Sequence, residues 1–492
     1  MRTLIGSMLA ALSVVSGALG AEDPRQKAKP VIDKTIAYLR AQQDEKTGGW
    51  AVPKEGPAYP AITALVLNGM LMEPGVTVDD PAVKKGVAYV LKYRQADGGI
   101  YDKILPSYNT SICLSMLARV GTPEAKAAIK PAQDFLKSLQ FGDEALTEGP
   151  LAGETARVGK DHPFYGGVGY GRTGRPDLSN LSFFLQAMAD SGLSEKDPSI
   201  ERALVFLKRT QMLGSVNDMP FAQGSTQGGF IYSNSSGKDN VGKGQSYGGE
   251  VAESLSGPPG TVAMVALSPG ADGKKRTLKP DEVKSRVQKA MEADKAVASA
   301  AAAIIVLVGP GNGEASSQFE IRTSLQAADA LATVVAKALE EGGKPAAVVN
   351  AKTVAAWQGV SRLRSYGSMS YAGFKSLIYA KLPRNDERVL AAYNWIKRNY
   401  TLAENPGVGK DGVYYYYLTF ARAMDAWGDP LVDVVKPDGS EESREWATDL
   451  IDALAKMQNA DGSFKSIDDR WMENNPVLIS AYSLLALEHA AK

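Results

Sequence analysis

The sequence predicts an all-α fold in which six helical hairpins close into two concentric rings, an (α/α)6 toroid, with one small α+β insert. Three observations predict it. A helix-end signature recurs six times, glycine turns follow most copies of it, and half-apolar helices alternate with wholly apolar ones.

The signature is an aliphatic residue with Gln four positions on: Leu39/Gln43, Leu91/Gln95, Leu136/Gln140, Leu207/Gln211 and Leu454/Gln458. Ile396/Tyr400 is the copy that departs from Gln. Upstream of each pair the apolar residues fall at helical spacing, as in Val83, Val87, Val90 and Leu91, so each of these helices buries one stripe and exposes the rest. The turns read Gly48-Gly49-Trp50, Gly98-Gly99-Ile100, Gly166-Gly167-Val168, Gly228-Gly229-Phe230, Asp411-Gly412-Val413 and Asp461-Gly462-Ser463-Phe464. Glycine there permits a positive φ and a close chain reversal. The helices after the turns, such as Thr110-Ser111-Ile112-Cys113-Leu114 and Ala481 to Leu487, have no polar face and must be buried on every side. Six half-exposed and six buried helices are both satisfied by two closed rings. A linear solenoid is the competing arrangement, but it needs polar end caps, and the first and last buried helices are as apolar as the middle ones.

Well over a hundred residues separate the fourth glycine turn from the buried helix expected after it, which marks an insertion at residues 258–352 between toroid parts 21–250 and 357–492. It reads strand (Thr261 to Leu267), helix (Asp281 to Ala298), strand (Ala303 to Val308), strand (Gln318 to Arg322), helix (Ser324 to Glu341), strand (Ala346 to Asn350). The order βαββαβ suggests a ferredoxin-like sandwich. Gly309-Pro310-Gly311-Asn312-Gly313 follows a strand but opens no helix with Lys-Ser or Lys-Thr, so it reads as a hairpin turn rather than a phosphate loop. Residues 233–260, rich in Gly, Ser and Asn, read as a flexible lead-in.

Met1-Arg2, the apolar run Leu4 to Leu19 and the charged residues after Gly20 predict a signal peptide at residues 1–20 and export to the periplasm or beyond. The apolar run is shorter than the roughly 20 residues of a membrane span. With 55 basic and 55 acidic residues there is no electrostatic drive toward nucleic acid. One cysteine, Cys113, and two histidines, His162 and His489, leave too few soft ligands for a zinc site, so no metal and no cofactor is expected.

Gln95-Ala96-Asp97-Gly98-Gly99 and, more closely, Gln458-Asn459-Ala460-Asp461-Gly462-Ser463-Phe464 resemble the Gln-Trp repeat of squalene and oxidosqualene cyclases. Gly174 to Asn180, Arg364 to Met369 and Asp469 to Met472 resemble exported prenyltransferase or squalene oxidase repeat proteins. Together they cover roughly residues 30–250 and 357–490. The resemblance implies the terpenoid cyclase and protein prenyltransferase superfamily. It is specific for fold and poor for activity, because thioester proteins and polysaccharide lyases have related toroid shapes.

In a closed ring all inner helices run the same way and their N-termini surround one mouth. The residues supplied there are Tyr59, Tyr108, Asn109, Asp177, Asn180, Arg364, Tyr366, Tyr371, Tyr414 to Tyr417, Trp471 and Asn475. Aromatic walls with a few polar groups suit an apolar or sugar-like guest. The Asp-x-Asp-Asp acid that the cyclase resemblance implies is incomplete: Met472-Glu473-Asn474-Asn475 stands in its frame, and Asp468-Asp469 lies a few residues early as the candidate catalytic acid pair. Cys113 sits in an apolar helix without a nearby His, unlike a prenyltransferase zinc ligand, and Gly-Cys-Gly-Glu-Gln is absent. Two classes stay open, with a third behind them. The first is a toroid that binds or transforms an isoprenoid-type apolar molecule. The second is a carbohydrate-active toroid in which Tyr366 or Tyr371 abstracts a proton beside Arg364. The third is a non-catalytic scaffold whose insert binds a protein partner.

Overall fold

The computed structural model describes residues 23–143, 157–171, 174–237, 240–253, 260–270, 273–294, 304–307, 315–323, 325, 327–354 and 360–492. The signal-peptide segment and the Gly309 to Gly313 turn lie outside the described residues. In chain order the helices are α1 (Pro24–Ala41), α2 (Pro60–Met70), α3 (Pro81–Leu91), α4 (Pro106–Val120), α5 (Pro123–Leu139), α6 (Leu178–Asp190) and α7 (Pro198–Thr210). They continue as α8 (Pro280–Ala293), α9 (Ala328–Ala338), α10 (Gly367–Tyr379), α11 (Glu387–Asn399), α12 (Val413–Trp427), α13 (Trp446–Met457) and α14 (Pro476–Ala490). Seven of the twelve outside the insert begin on proline, whose fixed φ suits the first helical turn and whose missing N–H costs nothing there.

The helices sort by burial. Every residue from Pro60 to Met70 of α2 is buried, and α14 is buried from Val477 to Ala490, whereas α3 and α11 each bury one stripe. The buried set packs in a closed circuit: α2 on α4, α4 on α6, α6 on α10, α10 on α12, α12 on α14, and α14 back on α2. The striped helices lie outside, α3 on α2, α5 on α4, α11 on α10, α13 on α14, and α1 closing onto both α14 and α13. A linear solenoid has no contact between its first and last repeats, so this circuit excludes it.

The recurring Gln and Gly have one shared task. Gln43 donates its side-chain amide to the carbonyls of Gly48 (2.8 Å) and Ala82 (2.9 Å), so it binds its own turn and the start of the next outer helix, α3. Gln140 does the same with Gly166 (3.0 Å) and Ser199 (2.8 Å), and Gln211 with Gly228 and Arg388 (2.8 Å each). Gln458 reaches Val31 O and Thr35 Oγ1, both at 2.9 Å, and so joins the last repeat to the first. In the divergent copy the Tyr400 hydroxyl donates to Asp449 of α13 at 2.8 Å, a different group bridging the same gap. Gln95 alone turns back on its own loop, to Tyr93 O and Tyr101 O. The glycines let the turn approach. A Cβ on Gly462, whose φ is +90°, would lie 2.2 Å from Lys34 O, and one on Gly228 would lie 2.3 Å from Ala391 O.

The strands are β1 (Ser233–Ser235), β2 (Val241–Gln245), β3 (Glu250–Glu253), β4 (Gly260–Leu267), β5 (Ile304–Leu307), β6 (Gln318–Thr323), β7 (Ala347–Val354), β8 (Val360–Leu363), β9 (Leu431–Val435) and β10 (Glu441–Glu445). Within the insert β4-α8-β5-β6-α9-β7 forms one antiparallel sheet in the order β5-β6-β4-β7, the ferredoxin-like arrangement. Val265, Phe319, Val287 and Leu331 belong to its separate small core. Residues 233–253 are not the flexible lead-in the composition suggests. β1 pairs with β2, Asn234 donates to Pro163 O, and β3 pairs with β8, so the two strands flanking the insert zip together before the chain re-enters the ring. The small polar residues there satisfy buried backbone groups instead of leaving them to water. The β9–β10 hairpin between α12 and α13 has no counterpart in the sequence reading.

The staple predicts an order of stabilities. Gln458→Ala removes the amide that joins the last repeat to Val31 O and Thr35 Oγ1 at the closure and is expected to cost about 1–3 kcal/mol. Gln95→Ala, at an exposed side chain with local partners, should cost less. Gly462→Ala, forced into both a left-handed backbone and a carbonyl, should cost most. Urea-unfolding midpoints of the three variants check the order.

Candidate functional site

The inner helices run parallel, and the residues of their first two turns enclose a cavity of 370 Å³ on the ring axis. α2 contributes Ala61, Ile62 and Leu65, α4 contributes Tyr108 and Ile112, and α10 contributes Ser368 and Met369. α6 presents Ser179, α12 presents Tyr415, and α14 presents Leu478 and Tyr482. Tyr170, Tyr232 and Tyr247 come from loops, and Trp471 and Met472 from the turn before α14. Among the lining residues no side chain is charged.

The aromatic rings lock one another. Tyr108 packs on Phe183 at 4.7 Å between centroids, Tyr232 on Tyr247 at 4.9 Å, and Tyr247 on Trp471 at 5.3 Å. Hydroxyls gather in two places. Tyr170 and Tyr232 share a 3.0 Å hydrogen bond on one wall, and Ser179 and Tyr415 share another of 3.0 Å at the floor.

Of the residues expected at the mouth, Tyr59, Tyr108, Asn109, Tyr366, Tyr415 and Trp471 line the cavity. The others lie elsewhere. Tyr414 is buried away from the axis with its hydroxyl on Lys465 O at 2.6 Å, and Tyr371 packs on Tyr416 and Phe420. In the Tyr414 to Tyr417 run each side chain turns 100° from the last, so one of the four, Tyr415, faces the ring axis. Arg364 stands behind Tyr366 against Gly407 and Gly248 rather than in the wall.

The polar candidates are mostly helix caps. Asp177 accepts from Asn180 N at 2.9 Å to start α6, and Asn475 accepts from Val477 N and Leu478 N to start α14. Asn109 reaches across to Ala61 N at the start of α2, and Asn180 accepts the Ser107 hydroxyl at the start of α4. These N–H groups have no intrahelical acceptor, so inner helices packed side by side cap one another. Asp468 and Asp469 do not enter the lining. Asp468 accepts from Arg470 N at 2.7 Å within its own turn, and Asp469 is exposed.

Sequence reasoning passed over Glu473, which is 1% exposed. Its carboxylate accepts from Tyr415 N at 2.8 Å and Tyr414 N at 3.2 Å, and so caps α12 from the turn that carries Trp471 and Met472. Burial pushes its carboxyl up to about 7, with the backbone N–H groups opposing. Burial likewise pushes Asp177 up to about 6, against the pull of Asn180 and Arg175. Tyr170, Tyr232, Tyr247 and Tyr482 were missed too, three on loops and one within an apolar helix run.

The turn before α14 forms part of the cavity's outer wall. Trp471 and Met472 hold consecutive positive φ values of 53° and 67° and remain 40% and 39% exposed. Trp471 rests on Gly412, where a Cβ would come within 2.6 Å of the indole. Arg470 stacks over both Trp471 and Tyr247 while paired with Asp411. Two large side chains kept half in water at a cavity edge mark the entrance.

A second, open groove of 730 Å³ lies among the loop after α11, α13 and the β9–β10 hairpin. Lys410, Arg444 and Lys456 line it, and Arg444 is held by Asp449 at 2.5 Å and Glu442 at 3.1 Å.

No protein-family model and no curated protein matches the sequence. Among solved structures, the chain is similar to the type II terpene cyclase MstE from Scytonema, at 11% identity over 95% of this chain and 99% of that one, with a TM-score of 0.29. An arginine-to-alanine variant of MstE in complex with its substrate geranylgeranyl dihydroxybenzoate gives the same identity and TM-score over 95% and 98%. These values lie below those of a shared fold, and the ring and its cavity rest on the contacts described above.

Glu473 sets a pH signature. Its folded pKa lies above the ordinary value of 4.5, so the folded state holds the extra proton and stability falls as pH rises from about 4.5 to about 7. Glu473→Gln keeps an acceptor for the Tyr415 N–H and cannot ionise. Its stability relative to the parent should therefore rise by about 1–3 kcal/mol between pH 5 and pH 8, read by urea unfolding at the two pH values.

Proposed function

We propose that this protein binds an isoprenoid-type apolar molecule in the central cavity. The observation that carries the reading is the cavity itself, 370 Å³ with a wall of aromatic and aliphatic side chains, no lining charge, and polar groups limited to hydroxyls and Asn109. Pockets for small ligands span roughly 300–1,000 Å³ with mostly apolar walls and a few convergent polar groups. The motif resemblance to terpenoid cyclase-like repeat proteins supports the same class of ligand. The N-terminal residues, Met1-Arg2 followed by an apolar run, support an exported protein, and no helix among the described residues is long and apolar enough to cross a membrane.

Binding is favoured over acid-initiated cyclisation. Protonating an alkene demands a carboxylic acid stronger than usual, whereas the carboxyls nearest the wall, Glu473 and Asp177, are shifted the other way and spend their oxygens on helix N-termini. The carbohydrate reading asks for an open cleft faced by cations, whereas the open groove sets Lys410, Arg444 and Lys456 against Glu442, Asp449 and Asp452.

Titration calorimetry with geranylgeraniol tests the proposal. The expected result is saturable one-to-one binding with a negative heat-capacity change. Leu65→Trp, which fills the cavity from α2, should weaken it by about tenfold or more, a cost of the size seen for overpacking. Absence of binding to the parent protein, or undiminished binding to Leu65→Trp, ends this reading.

A further inference from the structure

Beneath the cavity floor lie two buried cations that nothing so far explains. Lys375 of α10 is 2% exposed and Arg422 of α12 is 4% exposed. Arg422 donates no hydrogen bond and forms no ion pair among the described residues, and its buried Nε lacks a partner. Lys375 has a single neutral acceptor, Gln186 Oε1 at 3.1 Å. Both stand against one ring, with the Lys375 ammonium and the Arg422 guanidinium each 6.0 Å from the centroid of Phe183.

A guanidinium cannot shed its proton at any ordinary pH, and an unpaired buried charge is among the costliest features a fold can hold. Asp190, the nearest acid acting on both, is solvent-exposed and bonded instead to Gln186. Burial and the neighbouring Arg422 both drive Lys375 toward its neutral form. The two side chains place one fixed positive charge and one buried amine together against Phe183.

The site communicates with the cavity. Phe183 packs on Tyr108 and Tyr415, both in the lining, and Arg422 acts electrostatically on the hydroxyls of Tyr415 and Tyr482. Ser179 and Tyr415 share a hydrogen bond at the floor, and the Tyr108 and Tyr482 hydroxyls belong to the same group of lining side chains. Each can turn an O–H toward an acceptor in the cavity, and positive charge behind them favours one that is anionic.

Building on the cavity reading above, we propose that the ligand is an amphiphile whose apolar chain fills the aromatic cavity and whose oxyanion, a carboxylate or a phosphate, sits at the hydroxyl floor over Arg422 and Lys375. The uncharged wall takes the chain and the floor takes the head.

The test titrates the full-length protein with three probes sharing one twenty-carbon chain: geranylgeraniol, geranylgeranoic acid and geranylgeranyl monophosphate. At least one anion is expected to bind about tenfold or more tightly than the alcohol, and the better one tells carboxylate from phosphate. Arg422→Met should erase that preference while leaving the alcohol within about twofold. Should Arg422→Met fail to fold, Lys375→Met and Tyr482→Phe carry the test, and each must lower anion affinity by about threefold or more relative to the alcohol. Equal affinity for alcohol and anions, or a preference that survives in the folded variants, overturns the oxyanion proposal and leaves the apolar cavity standing. Failure of all three probes to bind removes the cavity reading and this proposal with it.

Discussion

The ring depends on a side-chain amide that is bonded twice. Gln43, Gln140 and Gln211 each satisfy the carbonyl of their own glycine turn and a backbone carbonyl at the start of the next outer helix, and Gln458 reaches Val31 O and Thr35 Oγ1 in the middle of α1. Turns leave carbonyls without partners, so a packed repeat would otherwise bury unmet acceptors at its seams. An amide with two N–H donors in one plane bridges two acceptors in a way no hydroxyl can. The glycine makes the bridge short enough, because its missing Cβ admits the neighbouring helix backbone. Repeated around the axis, the same unit leaves no free end when Gln458 meets Val31, and closure needs no dedicated clasp.

Closure dictates the site. Parallel inner helices bring their N-termini together, and the polar residues there are first claimed by capping: Asn109 for α2, Asp177 for α6, Glu473 for α12 and Asn475 for α14. What faces the axis is therefore the remainder, tyrosines whose rings pack and whose hydroxyls pair with one another or with Ser179. The uncharged wall of the cavity follows from the same geometry that places the cavity there.

That ordering explains what the sequence disclosed. The repeats were legible because Gln and Gly recur at fixed places for a local reason, and the insert because its strands and helices keep their own periodicities around a separate core. The α3 and α5 stripes, the apolar α14 and the βαββαβ order could be read directly. The site was half legible. Tyr59, Tyr108, Tyr366 and Trp471 fall next to turns whose position the repeat fixes, while Asp177, Asn180 and Asn475 look identical in sequence whether they cap a helix or touch a ligand. Tyr232 and Tyr247 sit in stretches held by pairings such as β1 with β2, and long-range pairing leaves no local mark in Gly- and Ser-rich segments. Lys375 and Arg422 were invisible for the opposite reason. Each is a single basic residue in an otherwise apolar helix, and nothing in one helix shows that a second cation faces it from the next.

The charges around the cavity decide what chemistry it can host. A carbocation needs negative potential and facing π-clouds along its path. The rings are present, but the floor is backed by the guanidinium of Arg422, which raises the energy of any positive charge developing near Tyr415 and Tyr482. The carboxyls that could oppose it lie outside the lining with their lone pairs turned to backbone N–H groups. Positive helix N-termini surrounding the same space add to the effect. Arg422 and the helix N-termini favour an electron-rich or anionic guest at the floor, and the carboxyls that act on the same hydroxyls, Asp177 on Tyr415 and Glu473 on Tyr482, are held toward their neutral forms by burial.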